Sequence, residues 1–325
     1  MTVRLAVIGC GAAARRLHLP GFRAAGADVV CFASRTLASA EAAAAEWGSG
    51  EATDDWRAAT RRDDVDGIAV CTPNALHAEM TIAAARAGKH VLVEKPLAPT
   101  LAEADRMIAA AAGAGVRLVP AHNARFAPPI VAAREAVASG RLGEVISFRI
   151  AWGNAGPEAW SPEAAWFRDP AHSGGGALMD LGVHAVDVAA HLLVDRIVEV
   201  SAFVGPKPIE DLAQVLVRTE RGSLGSVHVS WRAVPGSEHQ LTLHGTAATL
   251  HFDDATPPVV RSAEGSEALP MPEPAAEPYA GFVRAAADPR AAVPVTAADG
   301  RAAVAVVEAA YRSARTGAAV AVDGS

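Results

Sequence analysis

The chain is short of several residue types, and each shortage narrows what it can be. Cysteine occurs 3 times in 325 residues, as Cys10, Cys31 and Cys71, with no CxxC pair and no histidine at metal-ligand spacing. So odd and scattered a set argues against a disulfide framework and reads as small reduced core residues, with no metal site expected. Basic residues are outnumbered: the formal charge is −7 and the pI about 5.9. There is no positive field to hold nucleic acid or an anionic membrane, so small molecules are the expected partners. No apolar run reads as long enough to cross a bilayer, and MTVRLAVIGCG enters a strand with no separate signal segment; a cytoplasmic location is the expectation. Lysine is confined to Lys89, Lys95 and Lys207.

What is present describes a globular chain. Hydrophobic residues make up 51% and charged residues 20%, and apolar segments alternate with turn residues throughout, enough to bury a large core. At this length two domains are expected. The first part repeats short apolar runs, 3-VRLAVI-8, 28-DVVCFA-33, 67-GIAVCT-72, 90-HVLV-93 and 117-RLVPA-121. Alanine-rich helical stretches near 13–25, 37–47, 75–87 and 101–114 separate them. Continuous apolar strands alternating with helices predict an α/β domain over residues 1–122, a doubly wound parallel sheet covered on both faces.

Beyond residue 122 the rhythm changes. A helix near 128–139 and a strand 145-VISFRIAW-152 lead to a loop rich in Gly, Pro and Trp, then a helix over about 177–193. The runs 198-VEVSAFV-204, 213-AQVLVRT-219, 224-LGSVHVSW-231 and 239-HQLTLHG-245 follow, with turn signals at Arg221-Gly222 and Pro235-Gly236. With no long helices between them, they predict an open, largely antiparallel sheet in an α+β domain over 123–325. The stretch 256–278, rich in Pro, Glu and Ala, reads as a surface excursion. A helix over about 299–316, opened by Asp299 and stopped by Gly317, is expected to pack back on the N-terminal domain.

The first strand runs into 9-GCGAAA-14. In a strand–turn–helix context Gly9 permits the tight turn, Gly11 lets backbone approach a pyrophosphate, and Ala13 and Ala14 open a closely packed helix whose free N–H groups suit phosphates. Read alone, the glycines fit any tight turn. After the second strand an Asp or Glu would accept the ribose hydroxyls of NAD; the chain has Ser34 and Arg35 instead, which favour the 2′-phosphate of NADP. The other reading is that Arg35 stacks on adenine and either cofactor binds. Thr72, Pro73 and Asn74 end a strand at the crevice edge of such a sheet and border the cofactor, Asn74 also fitting a helix cap. His77, one turn into the next helix, either faces the crevice or is a solvated or core-edge histidine, and Glu94 is a further candidate at the crevice edge.

Lys95 ends an apolar strand, where an ammonium is costly unless paired or used. It reads either as one half of a Glu94–Lys95 ion pair or as a donor to a substrate oxygen. Far along the chain, Asp180, His184, Asp187 and His191 in 174-GGGALMDLGVHAVDVAAHLL-193 share one helical face among apolar neighbours. A histidine there suits removal of a hydroxyl proton as the carbon loses hydride, with Asp180 either orienting it or binding a neighbouring hydroxyl. A solvated amphipathic stripe is the plainer alternative.

Taken in order, 9-GCGAAA-14, 71-CTPNALHAE-79, 88-GKHVLVEKPLA-98, 122-HNARF-126, 174-GGGALMDLGVH-184 and 308-EAAYRSARTGAAV-320 resemble the glucose-fructose oxidoreductase and inositol dehydrogenase (Gfo/Idh/MocA) family. The resemblance covers almost the whole chain. It implies an N-terminal Rossmann domain, and a C-terminal domain whose open sheet forms a homodimer or homotetramer. It also implies that Lys95 matches the catalytic lysine of EKP, and that Asp180 and His184 match a DxxxH pair. His122, Asn123, Trp166 and Arg168 are weaker substrate candidates, the usual Trp-Arg pair being interrupted by Phe167; Arg125 matches a partly structural element. The implied activity is NAD(P)-dependent hydride transfer at a secondary alcohol or ketone of a sugar, sugar derivative or cyclitol. NAD-dependent glycoside hydrolysis and a non-catalytic sugar sensor are the alternatives.

Overall fold

The computed structural model describes residues 2–206, 208–234, 237–274, 277–288 and 290–324. Lys207 and the Pro235-Gly236 turn signal lie outside them. Contacts divide the chain into two units, Met1–His122 with Ala171–Ser173 and Ala276–Arg301, and Asn123–Pro170 with Gly174–Ala275 and Ala302–Ser325.

In the first unit β1 (Arg4–Ile8), β2 (Asp28–Ala33), β3 (Glu51–Thr53), β4 (Gly67–Val70), β5 (His90–Val93) and β6 (Leu118–Pro120) form a parallel sheet in the order β3-β2-β1-β4-β5-β6. Leu5, Val7, Ile68, Val70, Val91 and Val93 are almost wholly buried, because helices cover both faces and leave no strand side for water. The strand order reverses at β1 and β4, so the segments leaving β1, β4 and β5 edge the crevice where such sheets bind ligands. Helix Leu37–Trp47 starts on a Thr36 cap and stops at left-handed Gly48; Leu101–Ala114 starts on Thr100 and stops at Gly115. Strand β3 and the Asp55-capped helix Trp56–Thr60 were not foreseen; the strand is 3 residues long and the helix 5, too short for a periodic pattern. Helix Tyr279–Ala287, just beyond the expected excursion, belongs to this unit's core through Tyr279 and Phe282 beside Phe22.

The second unit holds β7 (Val145–Asn154), β8 (Ile197–Val204), β9 (Leu212–Thr219), β10 (Leu224–Ser230), β11 (Ser237–Gly245), β12 (Ala248–Phe252), β13 (Val259–Ser262), β14 (Gly265–Ala268) and β15 (Val320–Ala321). Their order is β14-β13-β12-β11-β7-β10-β9-β8-β15, antiparallel except for β7 beside β10. The excursion expected over 256–278 is therefore corrected in part: β13 and β14 are a hairpin that extends the sheet, hidden in the sequence because β14 is exposed throughout. Alternation sends Phe148, Ile150, Val215, Val227 and Leu241 inward. Phe203, Leu212, Leu216 and Leu224 remain exposed, Phe203 at 80%.

The run Pro170–Leu193 is long and apolar enough by composition to cross a membrane, which corrects the expectation that none is. Yet 78% of its most apolar window is buried within the protein, as in a core helix. The closing helix spans Ala297–Thr316, its residues to Arg301 clustering with the first unit and the rest with the second.

Candidate active site

Each unit carries its own set of candidate groups. In the first, Gly9 has φ +95°, and a Cβ there would lie 2.4 Å from the Cys71 carbonyl oxygen, so only glycine fits. A Cβ on Gly11 would meet nothing within 4 Å, leaving open space above the turn. Ala13 and Ala14 follow at the start of a helix that passes through a π-helical turn, Ala14–His18, into Leu19–Ala24. The Thr72 hydroxyl, at the end of β4, is buried with no hydrogen-bond partner among the described residues. Open backbone, a helix start and an orphan hydroxyl at the strand-order reversal fit a dinucleotide. Ser34 and Arg35 leave β2 as expected, Arg35 exposed.

Three expectations in this unit need correction. Asn74 caps nothing: it is buried, and its amide donates to the Ser173 carbonyl at 2.8 Å. His77 does not line a crevice. It is fully buried, with Nδ1 2.9 Å from the Pro96 oxygen and Nε2 3.0 Å from the Thr72 oxygen, and burial pulls its pKa down against the upward pull of those carbonyls. It brackets two loops. Glu94 is also turned inward. One carboxylate oxygen lies 2.6 Å from His18 Nε2 and the other accepts from the Lys95 backbone N–H at 3.0 Å. The Lys95–Pro96 peptide that follows is cis.

In the second unit the last glycine of the run, Gly176, is explained by Glu210. This buried carboxylate accepts from the Gly176 and Leu178 N–H groups and from the Tyr311 hydroxyl, at 2.8–3.1 Å. A Cβ on Gly176 would lie 2.1 Å from the Glu210 carbonyl oxygen, so backbone, not a ligand, requires this glycine. Burial raises the Glu210 pKa, opposed by those donors. The helix enters through a π-helical turn, Leu178–Gly182, and continues as Val183–Leu193; such turns recur at functional sites.

The polar stripe on this helix has two separate jobs. Asp180, 4% exposed, accepts from the indole N–H of Trp231 at 2.9 Å. His184 stacks on Trp152, ring centroids 6.0 Å apart and planes 22° from parallel. Asp187 is buried and takes a bidentate bond from Arg125 at 2.6 and 2.7 Å, a structural pair rather than a solvated charge. Arg168, a substrate candidate in the sequence, is exposed and already paired: Glu158 holds its Nε at 2.7 Å, Asp211 holds an Nη at 2.6 Å, and its guanidinium lies over Trp231. Trp166 stacks on buried Phe167. Asn123 opens a 3₁₀ turn, Asn123–Phe126. His122, the last residue of the first unit, is fully buried, which leaves it no surface for a substrate.

A cavity of about 520 Å³ lies beside Trp152, floored by Ile150, Leu241 and Phe252 and edged by Ile130, His239 and Met271. Among the described residues no cluster of His, Cys, Asp or Glu is placed to hold a metal ion. Sequence reasoning missed Trp231, Trp152, Glu210 and His18 as supporting groups.

Comparisons with known proteins agree with this layout. Residues 3–122 match the oxidoreductase family with an NAD-binding Rossmann fold, and residues 130–251 match the GFO/IDH/MocA C-terminal domain. The chain is 34% identical over 279 residues to 1,5-anhydro-D-fructose reductase of Ensifer adhaerens, covering 82% of this chain and 83% of that one. It is 30% identical to levoglucosan dehydrogenase of Pseudarthrobacter phenanthrenivorans over 65% of this chain and 61% of that one. Among solved structures, levoglucosan dehydrogenase with NADH and levoglucosan superposes with a TM-score of 0.89 at 25% identity, covering 99% and 100% of the two chains. GenD2 from gentamicin A biosynthesis, in complex with NAD, gives 0.84 at 29% identity over 99% and 97%. The chain belongs to the Gfo/Idh/MocA family of NAD-dependent oxidoreductases.

Proposed function

We propose that the protein transfers hydride between a nicotinamide cofactor and a secondary alcohol or ketone of a sugar, sugar derivative or cyclitol. When bound, the nicotinamide supplies the hydride donor or acceptor. His184 takes the hydroxyl proton on oxidation or returns it on reduction, Lys95 donates to the same oxygen and steadies its growing charge, and Asp180 keeps the histidine's surroundings fixed. The observation that carries this reading is a histidine stacked on an aromatic face, one turn from a buried carboxylate that Trp231 holds. An indole face also suits the C–H surface of a sugar ring, and the neighbouring cavity gives a sugar substituent an apolar place to go.

For the cofactor, Ser34 and Arg35 support acceptance of NADP(H) beside NAD(H), since no carboxylate stands between β2 and the Thr36 cap. For assembly, the outward apolar side chains Phe203, Leu212, Leu216 and Leu224 support a homo-oligomer through the sheet. The test is to titrate NADH and NADPH by fluorescence, then follow nicotinamide absorbance with a panel of sugars, cyclitols and glycosides. Turnover of a polyol with stoichiometric change in cofactor is expected. Cleavage of a glycoside without net reduction would mean hydrolysis instead, and binding without turnover a sensor.

A further inference from the structure

Lys95 stands on a turn that the rest of the first unit grips from below. His18 closes the π-helical turn after the glycine loop and is fully buried. Its Nε2 lies 2.6 Å from one oxygen of Glu94, while the other oxygen accepts from the Lys95 N–H at 3.0 Å. The imidazole is itself fixed edge-on against Tyr279, ring centroids 5.4 Å apart, and touches Phe22. Burial opposes charge on His18, but the neighbouring Cys71 and Glu94 favour it, and the balance lifts its pKa to about 10. Glu94 moves the opposite way: burial pushes it up, and His18, Lys95 and His77 bring it below the usual value. A buried imidazolium–carboxylate pair of this kind resists displacement, since losing either partner strands the other charge.

We infer that His18 is a positioning residue for hydride transfer, holding Glu94 and, through it, the turn that carries the Lys95 ammonium. The inference rests on Lys95 having the role proposed above. A plain core histidine would support the fold and the glycine loop, and its loss would weaken cofactor binding. A positioning residue acts through Lys95, so its loss slows the chemistry and leaves the cofactor bound.

The test is a double-mutant cycle on the full chain, with single-turnover hydride transfer and NADH affinity both measured for a polyol the enzyme turns over. His18→Ala is expected to slow transfer about 10- to 100-fold, the scale of a misplaced catalytic group. NADH affinity should change less than about threefold. His18→Gln, which retains an N–H donor, should recover part of the rate and guards against a variant that fails to fold. In a Lys95→Ala background His18→Ala should have no further effect. Effects that multiply in the double variant, or NADH affinity that falls in step with the rate, would overturn the inference. A normal rate in His18→Ala beside a slow Lys95→Ala would overturn it alone, whereas a normal rate in Lys95→Ala would remove the proposed role of Lys95 and the inference with it.

Discussion

The indole N–H of Trp231 donates to a carboxylate oxygen of Asp180 across 2.9 Å, both residues buried. Trp231 is in turn held by Arg168, whose guanidinium lies 4.7 Å above its ring and is itself tied to Glu158 and Asp211. The carboxylate beside the proposed proton-handling histidine therefore keeps its orientation through a chain of groups that begins at the exposed Glu158. Trp231→Phe retains the packing and removes the donor. It should lower turnover about 10-fold, the scale of losing one hydrogen bond to a charged group, about 1.5–3 kcal/mol, with NADH affinity unchanged; steady-state kinetics beside a cofactor titration checks this.

Arg125 and Asp187 pair bidentately in the interior of the second unit. Removing either partner leaves a buried charge. Asp187→Ala should destabilise the protein by about 3–5 kcal/mol, while Arg125→Met combined with Asp187→Leu should recover most of that loss. Chemical denaturation of the three proteins decides it; an unchanged midpoint in Asp187→Ala would show the pair to be dispensable.

The charged state of His18 gives stability a pH dependence. Its folded-state pKa of about 10 lies above the ordinary 6.5, so its contribution is complete below about pH 6.5 and is lost as pH rises through about 10. Cys71, Tyr279, Lys95 and His77 are the titratable groups around the His18–Glu94 pair. The melting-temperature gap between the wild type and His18→Gln should narrow as pH climbs from 7 to 10. A gap constant across that window would mean that His18 is neutral in the folded protein.

Arg35 separates the two cofactors. Arg35→Ala should weaken NADPH binding about 10-fold, as expected for losing a charge-assisted bond to phosphate, and leave NADH binding nearly unchanged. Equal losses for both would assign Arg35 to adenine stacking.

Features with a local signature were legible in the sequence. Strands β2 and β5 and the helices Leu37–Trp47 and Leu101–Ala114 fall on the residues expected, because apolar runs and Thr/Gly caps mark both ends. Strand β3, three residues long, and the polar hairpin of β13 and β14 offered no such pattern. The candidate groups Lys95, Asp180 and His184 stood out as scarce or periodic charges in apolar surroundings. Their supports did not: His18 reaches Glu94 across 76 residues, Trp231 reaches Asp180 across 51, and Glu210 reaches Gly176 across 34. Such partners are chosen by the fold. The same holds for His77 and Arg168, whose polar atoms are taken by carbonyls and carboxylates that the fold packs around them.

The most direct measurement is single-turnover hydride transfer, followed by nicotinamide absorbance, in the wild type, Lys95→Ala and His184→Ala with a polyol that the wild type oxidises. Each variant should bind NADH normally and transfer hydride at least about 100-fold more slowly. Near-normal transfer in either variant, or no cofactor binding by the wild type, would contradict the assignment of hydride transfer to these residues.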